Sequence, residues 1–389
     1  MRRWKLKFYS VVFLFVWLVF AGAVYALEVR CTTDLHGSLT KLPCLTALLQ
    51  VTEEDTLRID AGDTIQGSFS AHLDRGRSMI EALNLLKYDI WVPGNHDFEY
   101  GDTELAARCR EFKGTVLGAD WSCTGFAPAA WVLLEKEKKR IAVIGLSEPK
   151  MAKRQPPESG FVFKEPLKAL EQAVAEIRKE SPDHVILVWH NGIFSSQGAM
   201  SRILRKFPEI DLVIGGHTHQ ENPGQKIGNC YFIQPGSYGS CVGAVTFCGR
   251  EITSRLLLPL PAEPHPELDE LIRQVTENEN RMGAERVTVE LSPAERIRKQ
   301  FQADAAIVTY IPPLKPQMTR RELFGAFPYD DRYTTRFFTR VAFQKFCKVQ
   351  RKNQKRWQMS LDIAGELPPE GGMVALSYYL VSEMPEQKD

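Results

Sequence analysis

The chain reads as a layered α/β protein followed by a small C-terminal α+β portion, and three observations carry that reading. Strand-like apolar runs alternate with amphipathic helical stretches from residue 27 to about 258. Most of those runs give way directly to polar, Gly-rich loops, the place where α/β sheets bind ligands. The 389 residues are 44% hydrophobic and 25% charged, enough for one large core or two smaller ones. That composition excludes collagen, low-complexity disorder and a disulfide miniprotein. With 49 Lys+Arg against 48 Asp+Glu, the net charge of +1 gives no reason to expect a nucleic-acid or anionic-membrane partner.

At the N-terminus, Arg2, Arg3, Lys5 and Lys7 precede an uncharged apolar run from Val11 to Leu27 that closes on small residues from Ala21 to Ala26. This is the layout of a secretory signal peptide over residues 1–26, cleaved after Ala26. The rival is a retained anchor helix, since a spanning helix needs ~17 to 25 residues. Either way the expectation is export, to a periplasmic or extracellular location, with membrane attachment only if the segment stays uncleaved.

Seven strands are expected next: Leu27 to Thr32, Thr56 to Asp60, Ile90 to Val92, Thr115 to Gly118, Ile141 to Ile144, His184 to Trp189 and Leu212 to Ile214. Between them the helical period places helices at Ser78 to Lys87, Thr103 to Phe112, Glu165 to Lys179 and Met200 to Lys206. From Tyr231 to Leu258 short strands broken by Gly236, Gly239 and Gly243 suggest a meander. A Pro-rich hinge begins at Pro259, and a helix-like stretch follows from Glu267 to about Arg281. The resulting division is 27–258 for the first domain, 259–292 for linker and helix, and 293–389 for the remainder. Within that remainder, Arg332 to Arg356 holds nine Lys or Arg and no acid. A solvated face is the plain explanation, and a polyanion or lipid-surface site the sharper one.

All eight cysteines lie after the expected cleavage point and none forms a CxxC pair, so a zinc knuckle or thioredoxin-type site is not expected. Cys230 and Cys241 flank a Gly-rich turn and are expected either to face each other across a hairpin or to be buried free thiols.

Five motifs sit where a strand gives way to a loop: DLHG (Asp34 to Gly37), GDTIQG (Gly62 to Gly67), GNHDFEYG (Gly94 to Gly101), WHNG (Trp189 to Gly192) and GGHTHQ (Gly215 to Gln220). Five of the eight histidines fall inside them. A lone His is more often structural than a ligand, but that explanation would have to hold at five strand ends at once. With His96 set apart, seven candidate ligands remain: Asp34, His36, Asp63, Asn95, His190, His217 and His219. This nitrogen and oxygen set without thiolate suits Mn²⁺, Zn²⁺, Fe or Co. Seven side chains exceed what one divalent ion takes, whereas two ions sharing a carboxylate would use them. Residues two apart on an extended segment point the same way, so Asp34 with His36, and His217 with His219, are expected to converge. Two metals ~3.5–4 Å apart perform phosphoester hydrolysis.

The five motifs, in this order, resemble the calcineurin-type metallophosphoesterases, and GDTIQG and GNHDFEYG resemble the 5'-nucleotidase branch. Gln234, Pro235, Gly236, Ser237, Tyr238 and Gly239 are similar to a strand-turn segment of that branch. The resemblance covers about residues 27 to 258 and implies a four-layer α/β/β/α sandwich. It also implies a site: Asp34, His36 and His219 on one metal, Asn95, His190 and His217 on the second, and Asp63 bridging. Asn95 and His96 would contact substrate, with His96 protonating the leaving oxygen or stabilising charge there. The family orients that histidine with an Asp three residues on, where this chain has Glu99. Asp97 is nearer in sequence, but alternation points it away from His96.

The resemblance weakens after Pro293. Ala303 to Pro313 and Thr319 to Pro328 resemble segments that flank an Asn-Gly-Gly nucleotide-binding stretch in the family, yet the Asn-Gly-Gly and its Arg are absent and the portion is shortened. Phe324, Phe327, Tyr329 or Tyr333 would have to supply any stacking surface, and core packing is the plain explanation for them. The leading expectation is an exported dinuclear-metal hydrolase of small phosphate monoesters, nucleotides among them. The alternatives are a cyclic-nucleotide, other diester or sulfur ester hydrolase with the same site, and a decayed binding or scaffold protein.

Overall fold

The computed structural model describes residues 26–50, 56–192, 199–249, 251–288, 292–310, 314–327, 333–357, 360–377 and 380. The expected signal segment lies outside the described residues apart from Ala26. Among the described residues, no helix is long and apolar enough to cross a membrane.

In chain order the strands of the first part are β1 (Leu27–Thr32), β2 (Thr56–Asp60), β3 (Ile90–Trp91), β4 (Thr115–Val116), β5 (Trp121–Cys123), β6 (Trp131–Lys136) and β7 (Lys139–Leu146). They continue as β8 (Phe161–Phe163), β9 (His184–Trp189), β10 (Leu212–Gly215), β11 (Glu221–Ile227), β12 (Cys230–Pro235), β13 (Val242–Cys248) and β14 (Glu251–Leu257). The later part adds β15 (Arg286–Thr288), β16 (Ala305–Tyr310), β17 (Gln317–Thr319), β18 (Tyr333–Phe338), β19 (Ser360–Gly365) and β20 (Gly372–Ser377).

Two six-stranded sheets form the body, one ordered β14-β13-β1-β2-β3-β4 and the other β11-β12-β10-β9-β7-β6. Strands β1 to β4 pair in parallel, as do β7, β9, β10 and β12, while β6, β11, β13 and β14 join antiparallel. Alternation along each strand decides which layer a side chain serves. Ile141, Val143, Ile186, Val188, Leu212 and Ile214 point between the sheets and meet Leu27, Val29, Leu57, Ile59 and Ile90. Their neighbours Ala142, Ile144, Val185, Leu187 and Val213 point outward onto the helix Pro166–Glu180, which offers Leu170, Ala173, Val174 and Ile177. On the far side the helices Arg77–Leu85 and Asp102–Glu111 cover the first sheet through Met79, Ile80, Leu83 and Leu105. The order is helix, sheet, sheet, helix: the four-layer α/β sandwich expected from the sequence.

The hairpin expectation for Cys230 and Cys241 fails. β12 belongs to the second sheet and β13 to the first, so the turn between them crosses the sandwich. Cys230 opens β12 while Cys241 follows its far end, where its Sγ donates to Pro235 O at 2.9 Å. All eight cysteines are free thiols. The meander is real only for β13 and β14.

The helix Pro266–Gly283 packs Leu268 and Leu271 into the core beneath the first sheet. The last part is a four-stranded sheet, β18-β20-β16-β19, with the helix Pro293–Gln300 on one face and the helix Arg340–Trp357 on the other. The basic run falls largely on this second helix: Phe343, Cys347 and Gln350 are buried while Arg340, Lys345, Lys348 and Arg351 face solvent. That is the solvated-face pattern.

The docking of the Pro266–Gly283 helix is open to test, because Leu268 is fully buried and Leu260 in the preceding hinge is 45% exposed. Leu268→Ala should lower the unfolding free energy in urea by about 2–4 kcal/mol. Leu260→Ala should change it by no more than about 0.5 kcal/mol.

Candidate metal centre

The parallel strands β1, β2, β3, β9 and β10 end at one edge of the sandwich, and each runs directly into one of the five motifs or the residues just before it. Backbone bonds zip the loops together there. Asp34 N donates to Gly62 O at 2.7 Å, His36 N to Asp63 O at 2.8 Å and Gly37 N to Thr64 O at 3.0 Å. His190 N donates to Leu146 O at 3.0 Å, which ties the fourth motif to the end of β7.

Asp97 anchors this bundle. Its carboxylate accepts the backbone N–H groups of Asp63, Thr64, Ile65 and Gly94 at 2.8 to 2.9 Å. Residues His96–Phe98 form a 3-10 turn, so alternation does not apply there; the Asp97 carboxylate is taken up by fixing two motif loops against each other. Only a residue with two acceptor oxygens and no donor serves four amides this way. Gly94 shows how close the approach is. A Cβ there would overlap Asp63 Oδ1 and lie 2.6 Å from His190 Cε1.

The loops gather all seven candidate ligands. The ligand atoms of Asp34, His36 and His219 lie within 4.8 Å of one another, and so do those of Asp63, His190 and His217. Asn95 joins the second group, its Oδ1 2.6 Å from His217 Nδ1. Asp63 Oδ2 stands between the groups, 3.0 Å from His190 Nε2 and 3.9 Å from His36 Nε2. Its other oxygen accepts His96 N at 2.7 Å.

Convergence is not achieved by extended alternation. Asp34, His36, Asp63, His217 and His219 all have positive φ, between 47° and 71°. Such conformations cost ~1–3 kcal/mol each for residues with a Cβ. Left-handed kinks, rather than a strand period, turn these side chains inward.

The protonation pattern suits cations. His36 Nδ1 lies 3.1 Å from Gln66 O and His190 Nδ1 lies 2.7 Å from Ala61 O. With a proton on each Nδ1, the Nε2 atoms carry lone pairs. His36 Nε2 then faces His219 Nε2 at 3.1 Å, and His190 Nε2 faces Asp63 Oδ2 at 3.0 Å. Burial lowers His36 to about 4. Burial and then His190 lower His217 to about 3. Burial also opposes charge on His190, but Asp63 outweighs it and raises the group to about 10. Asp34 and Asp63 are buried, and among the described residues the only basic side chains within 4 Å of their oxygens are histidines. Two divalent ions fit this donor set: His36 and His217 are held neutral by burial, His36 and His190 are oriented by backbone acceptors, and two buried carboxylates have no described Lys or Arg beside them, so that at His190 an ion would take the place of the proton Asp63 favours.

His96 stands at the rim, its ring 5.2 Å from that of His36. Its Nδ1 is 2.5 Å from Glu99 Oε1, so the longer acid reaches the imidazole. Burial opposes charge on His96, but Glu99 and Asp63 raise it to about 9. Two further neighbours line the site. Tyr238 stacks on His36, with ring centroids 5.1 Å apart and planes at 30°. Arg154, largely buried and 3.6 Å from Glu148, adds positive potential at both His96 and His217. Nothing in the type or spacing of either residue marks it, although Tyr238 lies within the QPGSYG segment singled out above.

The aromatic candidates of the last part divide. Phe324 packs on Phe69 and His72, with ring centroids 5.5 and 5.2 Å away, and Phe327 packs at the smaller core of the last sheet. Tyr329 and the side chain of Tyr333 lie outside the described residues.

Comparison with known proteins follows the same lines. The calcineurin-like phosphoesterase family model matches residues 27–221. A snake venom 5'-nucleotidase of Gloydius brevicauda is 24% identical over 199 residues, which cover 49% of this chain and 33% of that protein. The 5'-nucleotidase of Rattus norvegicus is 25% identical over 223 residues, 50% of this chain and 38% of that protein. The chain thus aligns with little more than a third of the length of these relatives. A 5'-nucleotidase precursor structure from Thermus thermophilus superposes with a TM-score of 0.68 at 14% identity, covering 92% of each chain, which is a likeness of fold.

Gly94→Ala tests the packing of the centre. The variant should keep the far-UV circular dichroism of the wild type but bind less than half as much Mn²⁺ or Zn²⁺ by elemental analysis after dialysis. Full metal content would show that the loops accommodate a methyl group.

Proposed function

The chain belongs to the calcineurin-like phosphoesterase family, and from that premise we propose that it is an exported, dinuclear metal-dependent hydrolase of small phosphate monoesters, with nucleotides as the substrate class. One observation carries the reading: Asp63 Oδ2 lies between two ligand clusters, 3.0 Å from His190 Nε2 and 3.9 Å from His36 Nε2. In it, Asp34, His36 and His219 would hold one divalent ion and Asn95, His190 and His217 the second, with Asp63 shared between them. Such ions supply Lewis acidity that lowers the pKa of water and neutralises phosphoryl charge.

The remaining work falls to the protein. Asn95 and His96 contact the phosphoryl group. His96 is the proton donor: Glu99 holds Nδ1–H, which leaves Nε2–H to protonate the departing ester oxygen. The carboxylate keeps the imidazole charged near neutral pH, as the donor role requires. Glu99 thus serves where the family uses an Asp. The names of the relatives support nucleotides as substrates, and the basic, apolar, small-residue order of the N-terminus supports export. Phe324 is spent on packing with Phe69 and His72, so this reading assigns it no nucleobase.

Hydrolysis of p-nitrophenyl phosphate by the full chain should vanish on chelation and return with Mn²⁺ or Zn²⁺. In a panel, AMP should be cleaved well above a 2',3'-cyclic nucleotide and a bis-aryl phosphate. Activity that survives chelation refutes the metal reading, and preference for a diester refutes the monoester reading. Among single changes, Asp63→Asn should be the most damaging, with both ions lost from the purified protein. Glu99→Gln should keep the metal while lowering kcat. Because His96 must be protonated to act, rate is lost as pH rises through its pKa. Removing the negative charge of Glu99 lowers that pKa, so the alkaline limb of the pH–rate profile should move to lower pH. An unmoved limb would assign Glu99 a structural part only.

A further inference from the structure

Tyr238 is placed as no core residue would be. The chain leaves β12 at Pro235, turns at Gly236, and gives Tyr238 a φ of 52°, a conformation bulky aromatic residues rarely adopt. The surrounding turn enforces it. Ser240 N donates to Ser237 O at 2.9 Å, Ser240 Oγ donates to Glu221 Oε1 at 3.1 Å, and Tyr238 N donates to Asp34 O at 2.8 Å. The last bond fastens the turn to the loop that carries Asp34 and His36.

The ring lies over the first ligand cluster, stacked on His36 and edge-on to His219 at 5.5 Å and 90°. Yet 47% of the residue is exposed. Burial therefore recovers only part of what a large ring gives, and the strained backbone is not offset by packing alone. Among the described residues its hydroxyl has no hydrogen-bond partner. A phenol hydroxyl is an O–H donor as well as an acceptor. This strained, half-exposed phenol, set against the His36 and His219 imidazoles, has a donor for which the described residues supply no acceptor.

We propose that Tyr238 is a substrate-contacting residue whose hydroxyl donates a hydrogen bond to a non-bridging oxygen of the phosphoryl group, from the side of the Asp34–His36–His219 cluster. The phosphoryl anion is the acceptor the hydroxyl lacks. The contact complements His96, which serves the leaving oxygen, and it rests on the reading of the site as a phosphoesterase centre. The ring has a separate part, holding the His36 imidazole against its backbone acceptor.

Tyr238→Phe and Tyr238→Ala separate hydroxyl from ring. Full-chain protein and both variants, loaded with Mn²⁺, are titrated calorimetrically with inorganic phosphate, and their metal content is measured. Tyr238→Phe should retain the wild-type metal content and bind phosphate about 10-fold more weakly, the loss of one hydrogen bond to a charged acceptor. Tyr238→Ala should lose the same phosphate affinity and part of the metal. Equal phosphate affinity in wild type and Tyr238→Phe overturns the proposal, and so does loss of metal in Tyr238→Phe, which would assign the hydroxyl to the ligand cluster. The comparison needs no turnover. Wild-type protein that binds phosphate but cleaves no monoester would refute the proposed activity while the phosphate affinities still decide the role of Tyr238.

Discussion

Two carboxylates, Asp34 and Asp63, are buried side by side without a described Lys or Arg against either, and the rest of the structure is organised around that charge. Removing an ion from water costs several kcal/mol even in a relaxed protein interior, and an unpaired buried charge is strongly destabilising. Protonated histidine meets part of this demand, as the upward push of Asp63 on His190 shows. His36 and His217, held neutral by burial, contribute lone pairs instead of charge. A set of acceptors of this kind is complete only around cations.

The fold supplies what such a set requires, a rigid rim. Parallel strands of two sheets end together, and the loops beyond them are bonded to one another through their backbones. Asp97 gathers four amides of two loops on one side chain. Five ligand residues sit in left-handed conformations that isolated peptides rarely visit. Strain of that size persists only where the surroundings over-determine it, and here the zippered loops and the inter-sheet core do so.

The body of this architecture was legible in the sequence where strands are buried on both faces. The ranges Leu27–Thr32, Thr56–Asp60 and His184–Trp189 match the expected bounds residue for residue: HVILVW is a near-continuous apolar run, and LEVRCT and TLRID alternate apolar with polar residues at the strand period. β6 and β11 were missed for the opposite reason. Both are edge strands with charged or breaker residues, ENPGQKI in the case of β11, and their pairing is supplied by the neighbour strand rather than by their own propensity. The passage of the chain from β12 in one sheet to β13 in the other is a tertiary event with no local signature, so of the two readings of Cys230 and Cys241 the hairpin fails and the buried free thiols hold. At the site, residue types and spacing identified the side chains that converge, while the left-handed turns by which they converge, the four amides held by Asp97 and the ring of Tyr238 over His36 depend on distant loops meeting.

The account is tested most directly by diffraction from Mn²⁺-loaded crystals, with anomalous data collected at the manganese edge. It predicts two peaks about 3.5–4 Å apart, with Asp63 between them and Asp34, His36, His219 on one side and Asn95, His190, His217 on the other. A single peak, or a pair that leaves Asp63 without a metal contact, would contradict it.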